Sequence, residues 1–403
     1  MSLQLPEAAE GSVRAGGSTT TAEPLPTAAP EKAASEKVTP GIPGSAKGGG
    51  RARGRLRALD GLRLIAALMV CAYHYAGRGG DISTAWGRSP SHVFPHLAGP
   101  FSYGPLGVEI FFIISGFVIC MSGWGRSVKD FAISRITRLY PAYWAALIII
   151  TVAFAIVGLK RVPNTDLLVN FTMLQMPAGA QRVLGVCWTL WAEMRFYLLF
   201  ALCVVWPGAT RKRVLVFCSV WTVLALYAQA TDESFLKFAL MPEYAPFFVA
   251  GMGMYLIYRF GHDALSWGVV LVGFLLGQRE EVKGLVAPAN MDVFHHRSEL
   301  MVIVVLALGF LAVIAVTLVP PIANLNWRWL TTAGALTYPF YLVHEHLGWV
   351  VIGKLVQHTS LPPTVIFGTT VVFMLLLAYA LHRVVEKPLA PLIKRVLSKP
   401  VAA

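Results

Sequence analysis

Long apolar stretches separated by short polar ones set the pattern of this 403-residue chain, and most of them are long enough to cross a hydrocarbon core of about 30 Å. Read as helices, they fall at 58–77, 104–124, 141–158, 188–206, 213–230, 244–260, 263–278, 300–319, 332–353 and 363–384. The stretch at 263–278 is short and contains glycine. A marginal eleventh, Asn164–Met176, is expected to lie in a loop or to re-enter. The pattern predicts an all-α integral membrane protein, a polytopic bundle of about ten transmembrane helices within residues 51–390.

The flanks differ. Residues 1–50 are rich in Ala, Pro, Gly, Ser and Thr and nearly free of large apolar side chains, so a disordered cytoplasmic tail is expected there. Residues 391–403 form a short second tail. The first apolar run starts near Leu59, too late and too long for a signal peptide, and is expected to act as its own membrane anchor. Counting Lys and Arg near the span ends gives about eighteen on the side of both termini and about ten on the other, which predicts cytoplasmic termini. The clusters are Arg51/Arg53/Arg55/Arg57, Arg126/Lys129/Arg135/Arg138, Arg211/Lys212/Arg213 and Arg383/Lys387/Lys394/Arg395/Lys399. The net charge of +13 is thus placed where topology and anionic lipid headgroups put it, and nucleic acid is not an expected partner. The expected setting is the cell membrane of a bacterium. Cys71, Cys120, Cys187, Cys203 and Cys218 fall in or beside apolar spans without CxxC spacing and read as small buried apolar residues, not as disulfides or a zinc site.

Ionisable residues inside spans are costly and point to function. Arg63 and His74 lie eleven residues apart, about 20° apart in azimuth and about 16 Å apart along a helix. Histidine is the side chain best suited to move protons near neutral pH. The second span opens Gly107-Val108-Glu109-Ile110-Phe111-Phe112-Ile113-Ile114-Ser115-Gly116-Phe117, whose small residues allow close helix approach or a backbone-lined cavity. Glu109 and Ser115 are read as lining a site. Ser115 lacks the GxSxG turn of a nucleophile. In Ser134-Arg135-Ile136-Thr137-Arg138-Leu139-Tyr140-Pro141, Arg135 and Arg138 share a face and can grip phosphates at the cytoplasmic boundary, although topology alone also explains them. Glu193, in Trp188-Thr189-Leu190-Trp191-Ala192-Glu193, points away from Arg195 and is expected to meet another helix, where it either orients an imidazole or neutralises an arginine. In Tyr341-Leu342-Val343-His344-Glu345-His346 the two histidines diverge and lack metal spacing, whereas Tyr341 and His344 can line one wall of a site.

These motifs, in this order and closing with Val385-Glu386-Lys387-Pro388, resemble acyltransferase family 3, the integral-membrane O-acyltransferases, from about Arg57 to about Pro388. The resemblance implies a ten-helix bundle, His74 as catalytic histidine, and Arg63, Arg135 and Arg138 as functional arginines. It implies acyl-CoA from the cytoplasm as co-substrate, with no bound cofactor. The acceptor is a hydroxyl of a sugar, glycolipid or other small molecule. Some relatives carry a fused periplasmic hydrolase-like domain; this chain ends soon after Lys399, so transfer is expected directly to acceptor or through a separate protein. The N-terminal tail is not part of the family pattern.

The expected chemistry is transfer of an acyl group, most simply acetyl, with His74 as general base and Glu193 in support. Direct transfer is the default, and an acyl-histidine route is the alternative. Two other classes share the same residues. A transporter would use His, Arg and Glu as a proton relay, although no internal repeat supports it. A polyprenyl-linked glycosyltransferase would use acidic residues of the first outer loop, here Asp81.

Overall fold

The protein, as a computed structural model, is described over residues 56–158, 162–286 and 296–399. The tail expected at 1–50 lies outside the described residues. Within them, every regular element is helical. Each of the ten predicted stretches is a helix: α1 (Arg57–Ala72), α2 (Gly107–Gly123), α3 (Val128–Val157), α4 (Cys187–Phe200), α5 (Arg211–Thr231), α6 (Ala245–Phe260), α7 (Ala264–Val286), α8 (Glu299–Leu318), α9 (Arg328–His358) and α10 (Pro363–Leu381).

Among the described residues, six helical segments are both long and apolar enough to cross a membrane, namely those containing α2, α3, α4, α5, α8 and α10. The expected count of about ten is therefore not reached on composition and length. The reasons are local. The α6 helix has 16 residues, α7 runs into Arg279, Glu280, Glu281 and Lys283, and α1 and α9 carry the ionisable groups described below. The stretch 164–176 holds an eight-residue helix, Asn164–Phe171, which at about 1.5 Å per residue is far too short to span. Ile148, Val152, Ile156, Val220, Leu308, Leu311, Val372 and Leu376 face outward, the placement expected of a lipid-facing surface. Four of the five cysteine thiols are buried and free. Cys203, expected to be buried, is exposed on the turn that extends α4.

Two contacts organise the bundle around the site. In the first, α1 packs along α9, with Gly334 against Asp60. In the second, α2 packs on α6 through Gly116 and Gly251: a Cβ on Gly116 would overlap the Phe248 carbonyl, and one on Gly251 the Ile113 carbonyl. This is the close approach that small residues in mid-span predict. Tyr140, Tyr143 and Trp144 of α3 donate to the carbonyls of Thr172, Asn170 and Phe171 at 3.0, 2.7 and 2.9 Å. Those carbonyls end the Asn164–Phe171 helix and have no partner within it. Asn170 then fixes the following loop, donating to Gln181 O (2.8 Å) and accepting from Val183 N (3.2 Å). By this route an aromatic motif on α3 sets the position of Arg182 and Gly185.

Replacing Gly116 by Val is expected to destabilise the fold by about 1–3 kcal/mol through overpacking. The check is the thermal midpoint of detergent-purified protein. Gly368, with open space where its Cβ would stand, is the control: Gly368→Val should leave the midpoint in place.

Candidate active site

Two cavities meet inside the bundle. The first, of about 340 Å³, is lined by Arg63 of α1, Ser115 of α2, Arg135 and Arg138 of α3, Glu193 and Tyr197 of α4, and Tyr341 of α9. Three arginines that the sequence carries in two separate motifs thus face one space. Each is anchored without being spent. Arg63 lies 3.8 Å from Asp60. Arg135 donates to the Ser134 hydroxyl at 2.8 Å, and its guanidinium lies 5.7 Å from the Phe131 ring and 5.9 Å from the Tyr197 ring. Arg138 lies 3.8 Å from Glu386, whose other oxygen is 2.7 Å from His382 Nδ1. A planar fork held in this way can still offer paired N–H groups to a phosphate.

The second cavity, of about 580 Å³, contains His74, Glu345, His346 and Trp349, and shares Val108 and Tyr341 with the first. The α1 helix ends in a π turn, Tyr73–Gly77, that carries His74. The widened turn is closed by two indoles: Trp349 Nε1 donates to His74 O (3.1 Å) and Trp86 Nε1 to Tyr75 O (2.8 Å). His74 Nδ1 lies 3.0 Å from Glu345 Oε1, with both side chains largely buried. An ionised carboxylate only accepts, so the imidazole proton belongs on Nδ1 and Nε2 carries the lone pair. Gly185 stands against the far side of Glu345, where any Cβ would overlap the carboxylate, and its N–H donates to His346 Nδ1 at 3.2 Å.

Several expected residues are placed differently from the sequence reading. Glu193 is in the arginine cavity and not beside His74; its partner is on its own helix, where Tyr197 Oη donates to it at 2.9 Å. The carboxylate at the imidazole is Glu345, which sequence reasoning passed over. Glu109 is buried but lines neither cavity. His344 lines neither as well: it packs behind His74, ring centroids 5.3 Å apart, with Nδ1 2.9 Å from Tyr341 O. Arg63 and His74, on one face of α1 by the helical wheel, open into different cavities.

Residues 56–383 match the family model described as an acyltransferase domain. The chain belongs to acyltransferase family 3. Acyltransferase MdmB of Streptomyces mycarofaciens is 27% identical to it over 86% of this chain and 94% of the relative. The exopolysaccharide production protein ExoZ of Rhizobium meliloti is 33% identical over 38% of this chain and 50% of the relative. The peptidoglycan O-acetyltransferase OatA of Listeria monocytogenes is 25% identical over 44% of this chain and 30% of the relative. No solved structure matches the chain. The protein is therefore a membrane acyltransferase, and the transporter and glycosyltransferase alternatives fall away.

In this acyltransferase, Gly185→Ala is expected to push the Glu345 carboxylate off His74. Misplacing a catalytic constellation by about 1 Å can cost about a hundredfold in rate. Transfer activity should fall on that scale and the thermal midpoint should drop with it, since the buried carboxylate loses its close partner; an active variant would show that the pair tolerates displacement.

Proposed function

We propose that this protein transfers an acyl group, most simply acetyl, from acyl-CoA to a hydroxyl of a carbohydrate, glycolipid or other small acceptor. The observation that carries the reading is the arrangement of an arginine-lined cavity against a histidine–glutamate cavity, with Val108 and Tyr341 common to both. Arg63, Arg135 and Arg138 hold the CoA phosphates, and the thioester end reaches past Tyr341 toward His74. His74 Nε2 takes the proton of the acceptor hydroxyl as its oxygen attacks the thioester carbonyl. The C–S bond then breaks, the CoA thiolate leaves, and the proton on His74 is returned to it. Glu345 orients the ring and stabilises the imidazolium formed in between. Burial of both groups excludes water from the thioester. Acyl-CoA is a co-substrate, and no bound cofactor is needed for these steps. Relatives named for exopolysaccharide production and peptidoglycan O-acetylation support a carbohydrate acceptor.

Both termini are cytoplasmic in this reading, which puts Arg135 and Arg138 on the side where CoA is found. A C-terminal reporter fusion should be active only in its cytoplasmic form, and activity outside would overturn the orientation.

His74→Ala should insert normally and bind acyl-CoA yet lose transfer by about a hundredfold to ten-thousandfold. His74→Gln keeps a hydrogen bond but cannot take a proton, so it should be equally impaired; near-normal turnover would exclude the base role. Changing Arg135 and Arg138 together to Ala should raise the apparent KM for acyl-CoA, and Lys replacements should restore it only in part because the fork is lost. An unchanged KM in the inserted double-Ala protein would return both arginines to topology alone.

A further inference from the structure

Three arginines line the cavity that holds His74: Arg78, Arg182 and Arg297. None belongs to the arginine group of the first cavity. Arg297 is 1% exposed. Its Nε donates to Ser102 O at 2.7 Å and its Nη1 to Leu285 O at 3.0 Å, whereas the buried Nη2 has no hydrogen-bond partner. Both partners are neutral carbonyls, and among the described residues no carboxylate lies within ion-pair reach of it. The Tyr73 hydroxyl and, farther off, the Glu281 carboxyl also favour the cation, but neither forms an ion pair with it. A buried guanidinium fixed by carbonyls, with an N–H left over and a cavity beside it, is built to meet an anion.

We infer that the His74 cavity receives acceptors bearing an anionic group, a carboxylate or a phosphate, which Arg297 binds while the acceptor hydroxyl faces His74. The inference rests on the acyltransferase reading and names the chemical class of its acceptor. The surroundings support it. The guanidinium of Arg78 lies 6.0 Å from the Tyr73 ring and 5.9 Å from the Trp349 ring, and that of Arg297 also lies 6.0 Å from the Tyr73 ring. Tyr73 in turn packs edge-on to His74 at 5.3 Å. Anion site and imidazole are therefore one aromatic ring apart. Two carboxylates also line the cavity, Asp81 and Glu345, and Glu345 is engaged with His74. With neutral imidazoles the wall remains positive by one charge. The volume, about 580 Å³, is that of a site for a small molecule.

The test uses purified full-length protein in nanodiscs and two readouts. Equilibrium dialysis without donor compares labelled glucose with glucuronate and glucose 1-phosphate, and a polyprenyl-diphosphate-linked glucose built into the nanodisc separates a lipid-borne anion from a soluble one. Acetyl transfer from acetyl-CoA to the same probes is then measured. At least one charged probe should bind about tenfold or more tightly than glucose, as a charge-assisted contact requires. That advantage should shrink as NaCl rises from about 50 to about 500 mM. Arg297→Gln should erase it and Arg297→Lys keep part of it. If the Gln variant fails to fold, the salt series on wild type and Arg78→Gln carry the test. Charged probes that bind no tighter than glucose, or not at all, overturn the inference, and efficient transfer to glucose would then leave the acyltransferase reading standing. A binding preference without transfer to any probe would instead keep the anion site and remove the acyl-CoA reading.

Discussion

The contact between His74 and Glu345 is the interaction around which the site is assembled. A carboxylate buried in a helical bundle is tolerable only with a partner close by, and removing one member of such a pair commonly costs about 3–5 kcal/mol. Holding the two side chains 3.0 Å apart requires α1 and α9 to stay in register. Gly348 makes room for the Tyr75 ring, whose hydroxyl donates to His344 O at 2.6 Å. Gly185 makes room for the carboxylate itself. The loop carrying Gly185 is fixed by Asn170, which depends on the Tyr140, Tyr143 and Trp144 clamp. Packing that looks remote from the chemistry thus converges on one oxygen–nitrogen distance.

Charge is divided between the two cavities by how each arginine is anchored. In the first, Arg63 and Arg138 stand near Asp60 and Glu386 at 3.8 Å, loose enough for a phosphate to compete, and Arg135 leans on aromatic rings. In the second, Arg297 is held by backbone carbonyls, which fix its direction without neutralising it. Both arrangements hold a cation in place without silencing it. Tyr341, hydrogen-bonded to Thr189 at 3.2 Å, stands between them as the shared wall.

The helices were legible because hydropathy sums over many residues and tolerates local error. The convergence of Arg63, Arg135 and Arg138 was legible as motif but not as geometry, since they sit on two helices whose approach no helical wheel contains. Glu345 had a signal that went unread: it lies four residues after Tyr341, on the same face, and both line the second cavity. Of the two roles left open for Glu193, the structure places it with the arginines of the first cavity, and a tyrosine at i+4, which the sequence reading did not weigh, donates to it as well. Arg78, Arg182 and Arg297 were hidden by the topology argument, which accounts for every basic residue near a span end and so distinguishes none. Glu386 sat in the closing motif, but its role needed the position of Arg138 on α3.

The π turns constrain the chemistry. A π turn inserts one residue into the helical repeat, which offsets every later side chain by about 100°. Such turns occur at Tyr73–Gly77, which carries His74, and at His382–Glu386, which carries the partner of Arg138. Arg63 and His74 share a face yet open into different cavities, because about 16 Å of helix separates them along the axis. The cost of the turn is disrupted backbone pairing, and the indoles of Trp349 and Trp86 meet it at the carbonyls of His74 and Tyr75. His74 is then held at its backbone by an indole and at its ring by Glu345. An imidazole fixed at both ends cannot swing into the arginine cavity, so in the proposed reaction the thioester must come to the base. The shared wall at Val108 and Tyr341 is where that crossing is made.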